Sequence, residues 1–286
     1  MAKQATCKEC GRMNLRISWS SLRTWETCRQ RHFLYTKGKR ATLADQRVFF
    51  PGTVTDRVVR DWLLNDPDKN PGLMPQMVAD IMKREADLIH AGGGKMAWRD
   101  AGDRDQVLKD CIEAVTKIEP ALNKYVLPYE YDVDFRFKAP VLAPHPGGGM
   151  ETVILNGAMD IIVRDDQSRY YVWDVKHTRD DYYWKKTKGQ LSFYDLCVQI
   201  MFGTETRITG LLQPLCKEQI KPFPLTLDDR SQLMQRVLNM ANNIWLEDFT
   251  PRTDFTECMY CNVKHACSKF QPVQDGKNKR MSLLGS

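Results

Sequence analysis

No apolar run in this sequence approaches the ~18 residues that a membrane-spanning helix needs, so a transmembrane protein is not expected. Met1-Ala2-Lys3-Gln4 has no apolar stretch behind it, and a secretory signal is not expected either. No segment repeats another. Charge of one sign is also scarce: 42 Lys and Arg stand against 36 Asp and Glu, a net +6 that permits a polyanionic partner without demanding one. With 42% apolar and 27% charged residues, the 286-residue chain can bury a core, and global disorder is excluded. That length suits one large domain or two modest ones. A soluble protein of the cytoplasm is expected.

Cysteine, by contrast, is plentiful, and its nine copies are an odd number. Disulfides do not persist in a reducing compartment, so clustered cysteines read as metal ligands. Cys111, Cys197 and Cys216 stand alone in apolar surroundings and read as small core residues. Cys7-x2-Cys10, Cys28 and Cys258-x2-Cys261-x5-Cys267 remain to be explained.

Residues 1–17 read as a basic arm. Ser18 or Ser20 can cap a helix in which Leu22, Trp25 and Cys28 share a face. Val54, Val58 and Trp62 mark a helix over 52–64, and further helices are expected at about 76–90 and 103–124. The Gly92-Gly93-Gly94 piece between them lacks phosphate-loop spacing and reads as a connector. The period then changes to two: Glu130 to Phe137 alternates charged and apolar residues, a strand with one buried face. Residues 140–150 read as a turn or mobile loop. Val153–Val163 and Tyr170–Lys176 form a hairpin of largely buried strands around a turn at 164–169. A helix at about 189–202, a strand at 206–215 and a helix at about 228–247 follow, and the Lys277-Asn278-Lys279-Arg280 tail reads as disordered.

The informative unit is Gly157-Ala158-Met159-Asp160 on one hairpin strand and Asp174-Val175-Lys176 on the other. Alternation sends Asp174 and Lys176 to one face, and the hairpin can bring Asp160 beside Asp174. Two adjacent carboxylates repel and call for a divalent cation, Mg²⁺ or Mn²⁺ for such hard oxygen ligands. A neighbouring lysine can activate a water and offset charge developing on a phosphate. Alone, D-x-K also fits a surface ion pair of little worth. Downstream, Gln190 and Tyr194 lie i, i+4 on one helix face. Just before them, Tyr182-Tyr183-Trp184-Lys185-Lys186 mixes rings and lysines, which suits a nucleic-acid strand or, equally, a solvated loop.

Asp160, Asp174-Val175-Lys176 and Gln190-x3-Tyr194 together resemble the PD-(D/E)XK nuclease superfamily, in its RecB-type branch with a QxxxY helix. The resemblance implies an α/β, restriction-endonuclease-like mixed sheet flanked by helices. Asp160, Asp174 and the Val175 carbonyl would be metal ligands, Lys176 the catalytic lysine, and Gln190 and Tyr194 would orient DNA or the lysine. The branch also carries G-x-x-x-H on an upstream helix; here Gly52-Thr53-Val54-Thr55-Asp56 puts an aspartate where the histidine would be. Asp56 can still ligate Mg²⁺ or Mn²⁺. For the acid expected on the first core strand, Glu130, Asp132 and Asp134 share a face, with Glu130 preferred.

Three thiolates spaced C-x2-C-x5-C can grip one face of a metal centre and need a fourth from elsewhere. Ser18-x-Ser20-x-Leu22-x2-Trp25-x2-Cys28, followed by Phe33, resembles the opening helix of the iron–sulfur members of that branch, the AddB nuclease domains and CRISPR-adaptation exonucleases. The resemblance implies that Cys28, Cys258, Cys261 and Cys267 hold a [4Fe–4S] cluster stapling the two ends of the domain. Zinc on Cys7, Cys10, Cys258 and Cys261 is the alternative, although zinc-ribbon pairs usually lie ~15–20 residues apart.

The expected layout is a 1–17 arm, an 18–270 nuclease domain with a 65–125 helical insert, a 126–215 catalytic core and a 248–270 cysteine cluster, then a 271–286 tail. The expected function is a metal-dependent deoxyribonuclease. By the resemblance alone, it would act as an exonuclease on DNA ends or single strands in recombination, repair or replication, with a helicase or recombination partner and no membrane. Two other readings stand beside it: a non-catalytic DNA-binding scaffold that keeps the fold, and a zinc-stabilised RNA-processing factor.

Overall fold

A computed structural model of the chain describes residues 14–38, 49–70, 72–93, 98, 100–204, 206–251, 258, 261, 263–267, 270–275 and 278–283. In chain order the elements are β1 (Leu15–Ile17), α1 (Trp19–Thr27), α2 (Arg29–Thr36), α3 (Phe50–Asn65), α4 (Leu73–Ala91), α5 (Ala101–Tyr125), β2 (Glu130–Pro144), β3 (Met150–Arg164), β4 (Tyr170–Val175), α6 (Trp184–Phe202), β5 (Thr206–Leu212), β6 (Ile220–Phe223), α7 (Leu227–Trp245), β7 (Phe270–Asp275) and β8 (Asn278–Leu283). They fall into two compact units, one from Met1–Ala44, Pro140–Asn156 and Met234–Ser286, the other from Asp45–Ala139 and Gly157–Leu233.

The second unit carries a mixed sheet flanked by helices, as expected. Ile161–Arg164 of β3 pair antiparallel with Tyr170–Trp173 of β4, β4 runs parallel to β5, and β5 is antiparallel to β6. The β3–β4 turn is tied by the Asp165 carboxylate, which accepts the Gln167 and Arg169 N–H groups. Side chains alternate across the strands. Ile161, Val163, Trp173, Val175 and Leu212 enter an apolar core with Val54, Val58 and Trp62 of α3, Val78 and Met82 of α4, and Cys111, Val115 and Leu122 of α5. Each buried side chain of this kind contributes roughly 1.5–3 kcal/mol. Helices α4 and α5, expected as an insert, therefore form a wall of this core. Helix α6 packs on β4 and β5. Gly210 lets Trp173 lie across β5, because a Cβ there would sit 2.5 Å from the indole.

In the first unit, Ser18 caps α1: its hydroxyl accepts the Ser21 N–H and the Ser21 hydroxyl accepts its own. Leu22 and Trp25 are buried as expected, but Cys28 does not continue their face; it is extended, between α1 and α2. Arg236 of α7 forks onto Glu26 at 2.6 and 2.8 Å. Arg29 pairs with Asp248, and the Phe33 and Phe249 rings lie 4.5 Å apart, which fastens the start of α2 to the chain after α7.

Several boundaries differ from the sequence reading. The end of the expected arm is strand: Leu15–Ile17 pair parallel with Val153–Leu155 of β3. Residues 140–150 are not a loop throughout, since β2 runs to Pro144 and β3 starts at Met150. Gly148 and Gly149, with φ of +95° and +82°, make the turn between them. The tail expected to be disordered includes β7 and β8, paired antiparallel. Cys7 and Cys10 lie outside the described residues. No described helix is long and apolar enough to cross a membrane.

Candidate active site

The alternation that sends Val175 into the core turns Asp174 the other way, toward Gln190 of α6. Asp174 is completely buried, and the Lys176 ammonium lies 2.7 Å from its Oδ2, an oxygen with no properly oriented hydrogen bond. Gln190 donates to Asp174 Oδ1 (3.2 Å) and to the Tyr194 hydroxyl (2.7 Å). Across the hairpin, Asp160 Oδ2 accepts the Val175 N–H at 2.8 Å, which holds its carboxyl beside Asp174. Burial, and then the Asp174 charge, push the Asp160 carboxyl up to about 7.

Helix α3 supplies Asp56. Burial and the Asp160 charge raise its carboxyl to about 7, against the pull of Lys176. Burial works against the Lys176 ammonium, but Asp174 and Asp160 outweigh it and lift its pKa above the ordinary lysine value. Asp56, Asp160, Val175 and Lys176 line one cavity of about 540 Å³ with Phe49, Pro51, Gly52, Thr53, His177, Thr178 and Tyr183. The loop after β4 is pinned from several sides. His177 Nδ1 meets the Thr55 hydroxyl at 2.8 Å, Arg179 pairs with Asp110 and Glu113 of α5, and the Lys217 N–H binds Asp181.

A family model of the PD-(D/E)XK nuclease superfamily matches residues 16–268. The chain belongs to this superfamily. A solved structure described as "Crystal structure of SSO0001" shares 14% identity, with a TM-score of 0.41 over 90% of this chain and 87% of that one. No curated protein matches the chain.

The superfamily is one of metal-dependent nucleases, and the donor set fits a hard cation. The buried Asp174 carboxylate, offset by Lys176 and crowded by Asp160, which in turn raises Asp56, marks a place where a divalent ion can relieve repulsion. Among the described residues no three Asp, Glu, His or Cys side chains close into a cage. Mg²⁺ and Mn²⁺ both take carboxylate and carbonyl oxygens, with water filling the positions that an open arrangement leaves.

Glu130 is not brought to the site. Its side chain is 73% exposed and faces Arg164. Asp134, with φ +54°, pairs with Arg60 instead, and neither it nor Asp132 lines the cavity. The aromatic–lysine segment divides: Tyr182 is exposed, Tyr183 lines the cavity, and Trp184 packs on Phe223 at 5.7 Å. Sequence reasoning missed Phe49, Thr55 and His177. His177 follows Lys176 and Thr55 precedes Asp56, and that adjacency was the available signal.

Cys28, Cys258, Cys261 and Cys267 are partly buried, whereas Cys111, Cys197 and Cys216 are buried as expected. The described thiols do not converge on a four-ligand metal site. Cys28 nonetheless lines a cavity with Thr250 in the same unit.

Proposed function

We propose that the chain is a Mg²⁺- or Mn²⁺-dependent deoxyribonuclease acting as an exonuclease on DNA ends or single strands. The observation that carries this reading is the single cavity lined by Asp56, Asp160 and Lys176 with buried Asp174 behind it. Asp56, Asp160, Asp174 and the Val175 carbonyl would hold the cation, which when bound acts as a Lewis acid and lowers the pKa of water. Lys176, kept protonated by its carboxylates, opposes the negative charge that grows on the phosphate as water attacks phosphorus and the P–O bond to the leaving group breaks. Gln190 and Tyr194 hold Asp174 in place. A helicase or recombination partner would deliver the ends.

The test is a Mg²⁺ and Mn²⁺ time course on end-labelled linear and closed circular DNA, single- and double-stranded, with wild type beside Lys176→Ala. Wild-type cleavage of linear molecules with sparing of circles is expected. DNA binding without cleavage of any substrate would move the assignment to the scaffold reading.

A [4Fe–4S] cluster on Cys28, Cys258, Cys261 and Cys267 is the second part of the proposal. Its support is the cysteine spacing and the contacts Arg29–Asp248 and Phe33–Phe249, which bring the Cys28 segment to the chain leading into Cys258. Protein purified without oxygen should be brown and contain iron; colourless protein with stoichiometric zinc would refute the cluster.

A further inference from the structure

Phe49 lines the cavity shared by Asp56, Asp160 and Lys176, yet 68% of it is exposed. Its backbone is fixed: the carbonyl accepts the Thr53 N–H at 3.1 Å and the Thr53 hydroxyl at 3.2 Å. The ring therefore stands at the start of α3, seven residues ahead of Asp56, at a defined height on the cavity rim. A large apolar ring left in water contributes little to folding. Beside groups suited to a phosphodiester, its flat face matches the flat face of a base. Tyr183 adds a second ring to the same lining.

Bases inside a duplex stack on one another and turn no face outward, whereas an unpaired base offers its face to an aromatic side chain. Stacking of this kind accepts any base, because each has a π-face. We propose that Phe49 is a base-stacking residue that makes this cavity take unpaired nucleotides. The proposal rests on the nuclease reading above and narrows it to single-stranded substrate at the point of cleavage.

A cycle of two changes tests it: Phe49→Ala in the protein and an abasic site stepped along the terminal nucleotides of a labelled single strand. Phe49→Ala is expected to raise KM on the intact strand about tenfold, with kcat less affected, while Phe49→Trp retains wild-type behaviour. At one position the abasic site should weaken wild type by a similar factor and leave Phe49→Ala unchanged. Independent, additive effects at every position, or an unchanged KM in Phe49→Ala, would overturn the stacking role. If wild type cleaves nothing, the nuclease reading fails. The same cycle read by fluorescence anisotropy of oligonucleotide binding still decides the role of the ring.

Discussion

The Lys176 ammonium lies 2.7 Å from the carboxylate of Asp174, which is wholly buried. Removing the lysine leaves that charge uncompensated, with Asp160 beside it. Lys176→Met should therefore lose roughly 3–5 kcal/mol of stability in the absence of divalent ions. Mg²⁺ should return part of the loss by supplying the missing positive charge. Cleavage should fall by about 10³-fold, since the group proposed to oppose phosphate charge is gone. Denaturant midpoints in EDTA and in Mg²⁺, beside initial rates, check all three. A variant as stable as wild type in EDTA would remove the ion pair from the account.

The acidic cluster sets a pH dependence with a definite sign. Asp56 and Asp160 are raised to about 7, against an unfolded value of about 3.9. Between about pH 4 and pH 7 the folded protein therefore binds more protons than the unfolded chain. Without metal, this contribution to stability declines as pH rises through that window and levels off above it. A cation needs the ionised carboxylates, so its affinity rises over the same range. Asp248, held low by the Thr250 hydroxyl, acts in the opposite sense. The difference between wild type and Asp160→Asn isolates the cluster. In EDTA, Asp160→Asn should gain stability over wild type on going from pH 5 to pH 8, and Mg²⁺ should stabilise wild type more at pH 8. An unchanged difference would refute the raised carboxyls.

The hairpin, its two aspartates and the i, i+4 pair on α6 were legible in the sequence because strand and helix periods dictate which side chains share a face. What escaped was set by other forces. The acid on β2 could not be chosen by alternation alone: Glu130 is drawn to Arg164 and Asp134 to Arg60, both charges from distant parts of the chain. Cys28 has the spacing of a helix face, yet the helix stops at Thr27 and Cys28 is extended. Phe49 carries no periodic signal at all, since its position comes from two hydrogen bonds to its carbonyl. The packing of helices α4 and α5 left no local signal, because the residues that share their core, Trp173 and Val175 among them, lie far along the chain.

Gln190 spans the two groups that most need a fixed position. One amide nitrogen reaches Asp174 Oδ1 and the Tyr194 hydroxyl, and both partners are buried. Gln190→Ala leaves Asp174, the proposed metal ligand, free to rotate against Lys176, and a residue that orients such a ligand typically controls metal affinity by about 10–100-fold. The concentration of Mg²⁺ giving half-maximal cleavage should rise by that order, while the rate at saturating Mg²⁺ falls less. Tyr194→Phe keeps the edge-to-face contact with Phe137 at 6.2 Å and removes only the oxygen that holds Gln190, so its shift should be smaller and in the same direction. Gln190→Glu adds a third carboxylate to the Asp160–Asp174 pair and should tighten Mg²⁺ while slowing cleavage, as Lys176 divides its charge among three acids instead of two. An unchanged Mg²⁺ requirement in Gln190→Ala would show that Asp174 is held by Lys176 alone.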